Sequence, residues 1–148
     1  MNLFGAMEVS SSALGAERIR AEVVAANMAN AETTRTPEGG PYRRQHVVFT
    51  SEAPEESFGG QLLANSGVSG PQIEGVRVSA VVADQGPPLR RYDPGHPDAD
   101  KDGYVSYPDI NPLTEMVDLM GASRAYGLNA SAVQAEKGML TASLEILK

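Results

Sequence analysis

Toward the C-terminus, apolar side chains recur at a helical period. Leu119, Tyr126, Val133, Leu140 and Leu147 fall every seven residues, and Met116, Ser123, Ala130, Lys137 and Leu144 form a second row three positions earlier. An a/d pattern sustained over successive heptads predicts a long helix that packs in a coiled-coil-like manner. Asn111 is placed to cap its first turn, with Pro112 at the first helical position, where a missing N–H is no loss. At ~1.5 Å per residue such a helix extends roughly 50 Å, more than a small β-rich segment can cover. Much of the stripe therefore requires another partner. Gly121, Gly127 and Gly138 lie inside it and each costs about 1 kcal/mol against alanine, so packing must compensate.

A weaker pattern opens the chain. Met7, Leu14, Ala21 and Met28 stand at sevenfold spacing, Phe4 and Ala25 adjoin them, and Ile19 and Val23 flank them. The stripe is rich in alanine, so its knobs are shallow and it gains most when contacted on several sides. All ten prolines fall between Pro37 and Pro112. Because proline breaks helix interiors, this leaves two arms, 1–36 and 113–148, free to be helical. The intervening 37–112 carries short β-type runs at Gln45–Thr50, Val76–Ala83, Leu89–Tyr92 and Tyr104–Tyr107, separated by turns such as Glu38-Gly39-Gly40-Pro41 and Gln85-Gly86-Pro87-Pro88. Between the first two runs, 51–75 is polar and glycine-rich without a period, and reads as a flexible loop. The expected fold is α+β: N- and C-terminal long helices that pair with each other, and a small β-rich insert between them.

Composition narrows the function classes. The formal charge of −7 divides into −1 in 1–35, −5 in 36–111 and −1 in 112–148. The arms are nearly neutral, and no basic stripe is available for nucleic-acid phosphates or an anionic membrane surface. There is no cysteine, which removes disulfides, thiolate catalysis and cysteine metal sites. The first basic residue is Arg18 and no apolar run is sustained near the N-terminus, so a cleavable secretory signal is not expected. Nor is a transmembrane segment. Composition alone therefore predicts a cytoplasmic protein, unless a route that reads an uncleaved N-terminus carries it out.

One segment imitates a metal site. Asp98-Ala99-Asp100-Lys101-Asp102-Gly103-Tyr104-Val105 matches the opening of an EF-hand loop, and Asp109 falls at the twelfth position. Alternating hard oxygen ligands around a glycine turn are what calcium requires. The flanks argue for a plain acidic turn instead: Tyr92-Asp93-Pro94-Gly95-His96-Pro97 cannot form the entering helix, and Pro108 precedes a ligand that is normally glutamate. His46 and His96 belong to no visible base–nucleophile pair, Ser10-Ser11-Ser12 lacks a nucleophile elbow, and Gly39-Gly40 is not followed by a phosphate-binding helix and lysine. No enzyme activity, cofactor or small-molecule substrate is expected. The basic pairs Arg43-Arg44 and Arg90-Arg91 read as solvated, or as contacts to an acidic neighbouring subunit.

Asn27-Met28-Ala29-Asn30 with Thr33-Thr34, then Pro37-Glu38-Gly39-Gly40-Pro41-Tyr42-Arg43-Arg44, resembles the N-terminal signature of bacterial flagellar rod proteins. Tyr92-Asp93-Pro94-Gly95-His96-Pro97, Gly103-Tyr104-Val105, and Glu115-Met116-Val117-Asp118 leading to Ala122-Ser123-Arg124-Ala125-Tyr126 and Asn129 are similar to a proximal-rod member. Met28, Gly127-Leu128 and Asp109 depart from the usual residues. The resemblance implies a structural subunit of the periplasmic drive shaft that transmits torque. It further implies export by the flagellar type III apparatus on an uncleaved N-terminal signal, with terminal helices forming the inner layer of a helical tube and the insert outside. Implied partners are copies of itself, other rod subunits and inner-membrane ring or export-gate components at the rod base. The expected assembly interface is Met7, Leu14, Met28, Met116, Leu119, Tyr126, Val133, Leu140, Leu144 and Leu147. Asn27, Asn30 and Asn129 are expected to satisfy polar groups near the arm–insert junction or between subunits, with a helix-end role open for Asn30. Alternative readings are a small calcium-binding module using Asp98, Asp100, Asp102 and Asp109, and an autonomous helical-hairpin adaptor.

Overall fold

The computed structural model describes residues 3–52 and 74–146. Element order is α1 (Leu3–Ala29), β1 (Gln45–Glu52), β2 (Gly75–Ala83), β3 (Leu89–Tyr92), β4 (Tyr104–Tyr107) and α2 (Pro112–Ile146). The α+β layout with two long terminal helices is thus observed. The loop reading for 51–75 falls largely on residues 53–73, outside the described residues, as does Leu147.

Each helix end has a local cause. At the start of α2, Asn111 Oδ1 accepts the Leu113 N–H at 3.0 Å and its carbonyl accepts Glu115 N–H at 3.1 Å, the N-cap geometry expected of asparagine before Pro112. Helix α1 stops at Ala29, which corrects the expectation of helix through residue 36. Asn30 ends it: its Nδ2 donates to the Ala26 carbonyl at 2.9 Å, and its Oδ1 accepts the Thr33 hydroxyl at 3.1 Å. Tighter i→i+3 bonds then follow, Ala31 N–H to Met28 carbonyl and Thr33 N–H to Asn30 carbonyl. Polar side chains that bond nearby backbone compete with the helix ladder, and this stretch holds Asn30, Thr33 and Thr34 before Pro37.

The strands form two separate two-stranded sheets, β1 with β2 and β3 with β4. In the second, antiparallel pairing sets Leu89 opposite Tyr107 and Tyr92 opposite Tyr104. Gly39, Gly40 and Gly103 take positive φ, which is why the turns at those points carry glycine.

The chain divides into two compact units. One holds 19–48 and 80–122, that is, the end of α1, the start of β1, the β3–β4 ribbon and the start of α2. Its described core is Val24, Val105, Ile110 and Ala122, together with the buried Asn27 and Glu115. The other holds 1–18, 49–79 and 123–148. There Ala16, Ser10 and Glu136 are buried, and Ser12 ties α1 to β2: its hydroxyl donates to the Val9 carbonyl at 2.8 Å and accepts Val76 N–H at 3.0 Å.

Candidate functional site

The chemistry of the 19–48/80–122 unit converges on one buried polar junction. Asn27, near the end of α1, and Glu115, in the first turn of α2, are each 1% exposed. Asn27 Nδ2 donates to Glu115 Oε2 at 3.0 Å and to the Gln45 carbonyl at 2.9 Å. Asn27 Oδ1 accepts Gln45 N–H at 2.9 Å and the Tyr42 hydroxyl at 3.2 Å. The other carboxylate oxygen of Glu115 receives Arg44 Nε at 2.6 Å and also its Nη2. Arg44 further approaches Asp118 at 3.6 Å, and Arg20 of α1 lies 3.9 Å from Asp118. A buried charge is tolerated only when paired and hydrogen-bonded, and here both oxygens of Glu115 have donors. Burial, and then the negative charge of Glu115, raise the Tyr42 hydroxyl pKa above 10.0. The arrangement holds no nucleophile beside a base. It joins α1, α2 and the strand that leaves the junction.

Asn27 therefore stands where α1, α2 and the segment entering β1 meet, while Asn30 bonds the last turn of α1 and Asn129 donates to the Ala125 carbonyl of its own helix at 2.9 Å. Glu115 and Arg44 were not singled out from sequence as a pair. The only available signal was an acidic residue in the first helical turn beside a basic pair far away in sequence. Pro41 and Tyr42 are half-buried, Tyr42 at the junction; Arg43, Ser123 and Arg124 are exposed. Thr34 donates to Asp98 Oδ2 at 2.8 Å, and Arg35 stands 3.7 Å from Asp98 Oδ1.

The remaining basic residues of the two pairs have acceptors within the chain. Arg43 donates to the Asp84 carbonyl at 3.3 Å, Arg90 pairs with Asp100 at 2.6 Å over the Tyr104 ring, and Arg91 reaches the Tyr107 hydroxyl at 3.0 Å. A neighbouring subunit is not needed to account for them.

In the 98–109 loop, Asp100 Oδ1 accepts its own turn's N–H groups, from Tyr104 at 2.8 Å and Asp102 at 3.0 Å, while Oδ2 takes Arg90. These N–H groups, the Tyr104 one foremost, hold its carboxyl pKa below the usual value against the opposing effect of burial. Asp98 faces Thr34 and Arg35, and Asp102 and Asp109 are exposed. Among the described residues no acid or histidine cluster has the convergence a metal ion requires. The geometry is that of an acidic turn.

Along α2 the buried positions are Glu115, Ala122 and Glu136, one row at sevenfold spacing with half-buried Asn129 between. Leu119, Val133 and Leu140 flank it half-buried, whereas Met116, Tyr126 and Leu144 are 48%, 44% and 64% exposed. Leu113, Val117, Met120, Leu128, Met139 and Ile146 are also exposed. On α1, Met7, Leu14 and Met28 are half-buried, and Ala29 is exposed. The buried row of α2 thus takes small and polar residues, while several of its large apolar side chains stay exposed. No helix among the described residues is long and apolar enough to cross a membrane.

Residues 7–35 match the family model described as flagella basal body rod protein, and residues 101–146 match that of the C-terminal region of flagellar basal body rod FlgEFG proteins. The whole chain is 40% identical to the flagellar basal-body rod protein FlgC of Borreliella burgdorferi, over 99% of that protein. It is 43% identical to the protein of that description from Bacillus subtilis, with all of both chains covered. The corresponding Salmonella typhimurium protein is 35% identical, with 99% of this chain and 98% of that one covered.

Proposed function

The chain belongs to the FlgC family of flagellar basal-body rod proteins, and from that premise we propose that it is a proximal-rod subunit which assembles through its terminal helices into a torque-transmitting shaft. That it is a structural rod component rather than an enzyme follows from the family. The finer reading rests above all on the exposed apolar side chains of α2. Met116, Leu144 and their exposed neighbours are left uncovered by a seam of smaller and polar residues, and contact with neighbours would bury them at ~25 cal/mol per Å².

In this reading the two arms, 1–36 with its helix ending at Ala29 and 113–148, form the inner layer and 37–112 the outer one. Contacts are head-to-tail, since such interfaces propagate into open helical arrays. The interface is drawn from Met7, Leu14, Met28, Met116, Leu119, Tyr126, Val133, Leu140 and Leu144, to partners that are copies of itself and other rod subunits. Contact with inner-membrane ring or export-gate components at the rod base, periplasmic location and export without a cleaved signal belong to the same proposal. The test uses a residue whose change leaves the fold intact. Leu144 is 64% exposed, so Leu144→Asp should leave the thermal midpoint of the purified chain within a few degrees while removing swimming and intact rods. Normal motility from that strain would refute the role assigned to the exposed face.

A further inference from the structure

Within the 19–48/80–122 unit, the end of α1 runs antiparallel to the start of α2: Asn27 meets Glu115, while Arg20, two turns earlier, meets Asp118 and passes 3.8 Å from the Cβ position of Gly121. The apolar part of this seam is small, with Val24 and Ala122 as its buried members. Shallow knobs discriminate poorly between registers, because a shift of one heptad sets similar residues against each other again. Charge does not forbid the shift either. Moved one heptad one way, Arg20 comes level with Glu115; moved the other way, Asn27 comes level with Ala122.

We propose that the Asn27–Glu115–Arg44 cluster is a register lock, which selects one alignment of α1 on α2 through hydrogen-bond complementarity and not through added stability. The native alignment alone gives Asn27 both an acceptor in Glu115 Oε2 at 3.0 Å and the Gln45 backbone, whose carbonyl and N–H each lie 2.9 Å from its amide. It alone lets Arg44, anchored beside β1, close on Glu115 Oε1 at 2.6 Å. Opposite Ala122, the Asn27 amide would be buried with no carboxylate to meet. Glu115 opposite Arg20 would lose both present donors. A buried polar residue that sets register at a cost in stability is a well-attested device in paired helices. The inference concerns the chain by itself and stands or falls separately from the assembly reading.

The full-length chain has no cysteine, so a single Ala25→Cys on the exposed side of α1 carries a nitroxide whose broadening of α2 amide signals reports register. In the otherwise native chain one centre of broadening is expected. Replacing the cluster by apolar residues, Asn27→Leu with Arg44→Met and Glu115→Leu, should preserve helix content and thermal midpoint. It should also add a second centre seven residues away, populated above about 10%. Tyr42→Phe, which removes one bond to Asn27 Oδ1 and leaves the Gln45 N–H and the Asn27–Glu115–Arg44 contacts in place, should retain one centre. A single centre in the triple variant would overturn the proposal, because packing alone would then set register. Failure of the triple variant to fold would overturn it too, since the cluster would then supply stability. Two centres in Tyr42→Phe would overturn it as well, because the three-residue cluster would then not suffice to set register.

Discussion

At the scale of single residues, the junction makes a titration prediction with a definite sign. The Tyr42 pKa is raised above 10.0 by burial first and the Glu115 charge second. The folded chain therefore holds this proton more tightly than the unfolded one, and stability falls as pH rises from about 10 toward the folded value. Carbon-13 NMR of the Tyr42 ring should show its hydroxyl titrating above 10.0. Glu115→Gln should bring it down only partly, because burial is the larger cause. A Tyr42 that titrates at or below 10.0 would contradict the buried junction. Gly103 offers a second case. Its φ is +80° and an added Cβ would lie 2.8 Å from Tyr92 Cε2, so Gly103→Ala meets both backbone strain of about 1–2 kcal/mol and a ring clash. The expected result is a clear fall in urea midpoint, with the β3–β4 amides shifting most. Asp100, whose carboxyl pKa is lowered chiefly by Tyr104 N–H, has the opposite sign to Tyr42. Its contribution is present above the unfolded carboxyl value and lost as pH falls through the folded one, so the 98–104 amide shifts should move together in acid.

At the scale of elements, patterns that depend on near neighbours were legible and those that depend on distant ones were not. The four strand positions follow from turn chemistry, with Gly39-Gly40 and Gly86-Pro87-Pro88 marking breaks that local backbone preferences dictate. The cap at Asn111 is legible for the same reason. The end of α1 was misplaced because proline absence permits helix without requiring it, and Asn30 and Thr33 offered the backbone other partners. The heptad rows of α2 correctly announced a long helix, yet the seam lies on Glu115, Ala122 and Glu136. Apolar periodicity reveals a face that must be buried somewhere, and here much of that face is exposed in the single chain. Glu115 as a core residue was invisible because its partners Asn27 and Arg44 stand 88 and 71 residues away. The glycines of α2 give a test at this scale. A Cβ at Gly127 or Gly138 would meet no described atom within 4 Å, so nothing in the described chain requires their bareness. Gly127→Ala with Gly138→Ala should stabilise the monomer's helix by about 1 kcal/mol each, seen as higher helicity by circular dichroism. If another helix approaches closely there, the same pair should impair rod formation. A gain in helicity with normal rods would locate subunit contact elsewhere on α2.

At the scale of the whole molecule, the distribution of burial implies unequal local stability. The 19–48/80–122 unit contains Val105 at 1% exposure, Ala122 at 0% and Val24 at 7%, so opening it must expose packed apolar side chains. From Thr141 to Ile146, by contrast, every residue of α2 is exposed. Helical hydrogen bonds with no buried side chain beneath them are lost at small local cost, because an isolated turn is marginal in water. Amide hydrogen exchange on the purified chain should therefore find Ala122 and its neighbours exchanging only with global unfolding, while 141–146 exchanges close to unfolded rates. In isolated basal bodies, burial of Leu144 against neighbours would slow the second group by orders of magnitude with little change in the first. If 141–146 were already protected in the monomer, the chain would carry its own cover for that face, and the self-contained helical-hairpin adaptor would become the better description. If it stayed unprotected in assembled rods, subunit contact would have to run through the earlier turns of α2, where Met116 and Met120 are exposed.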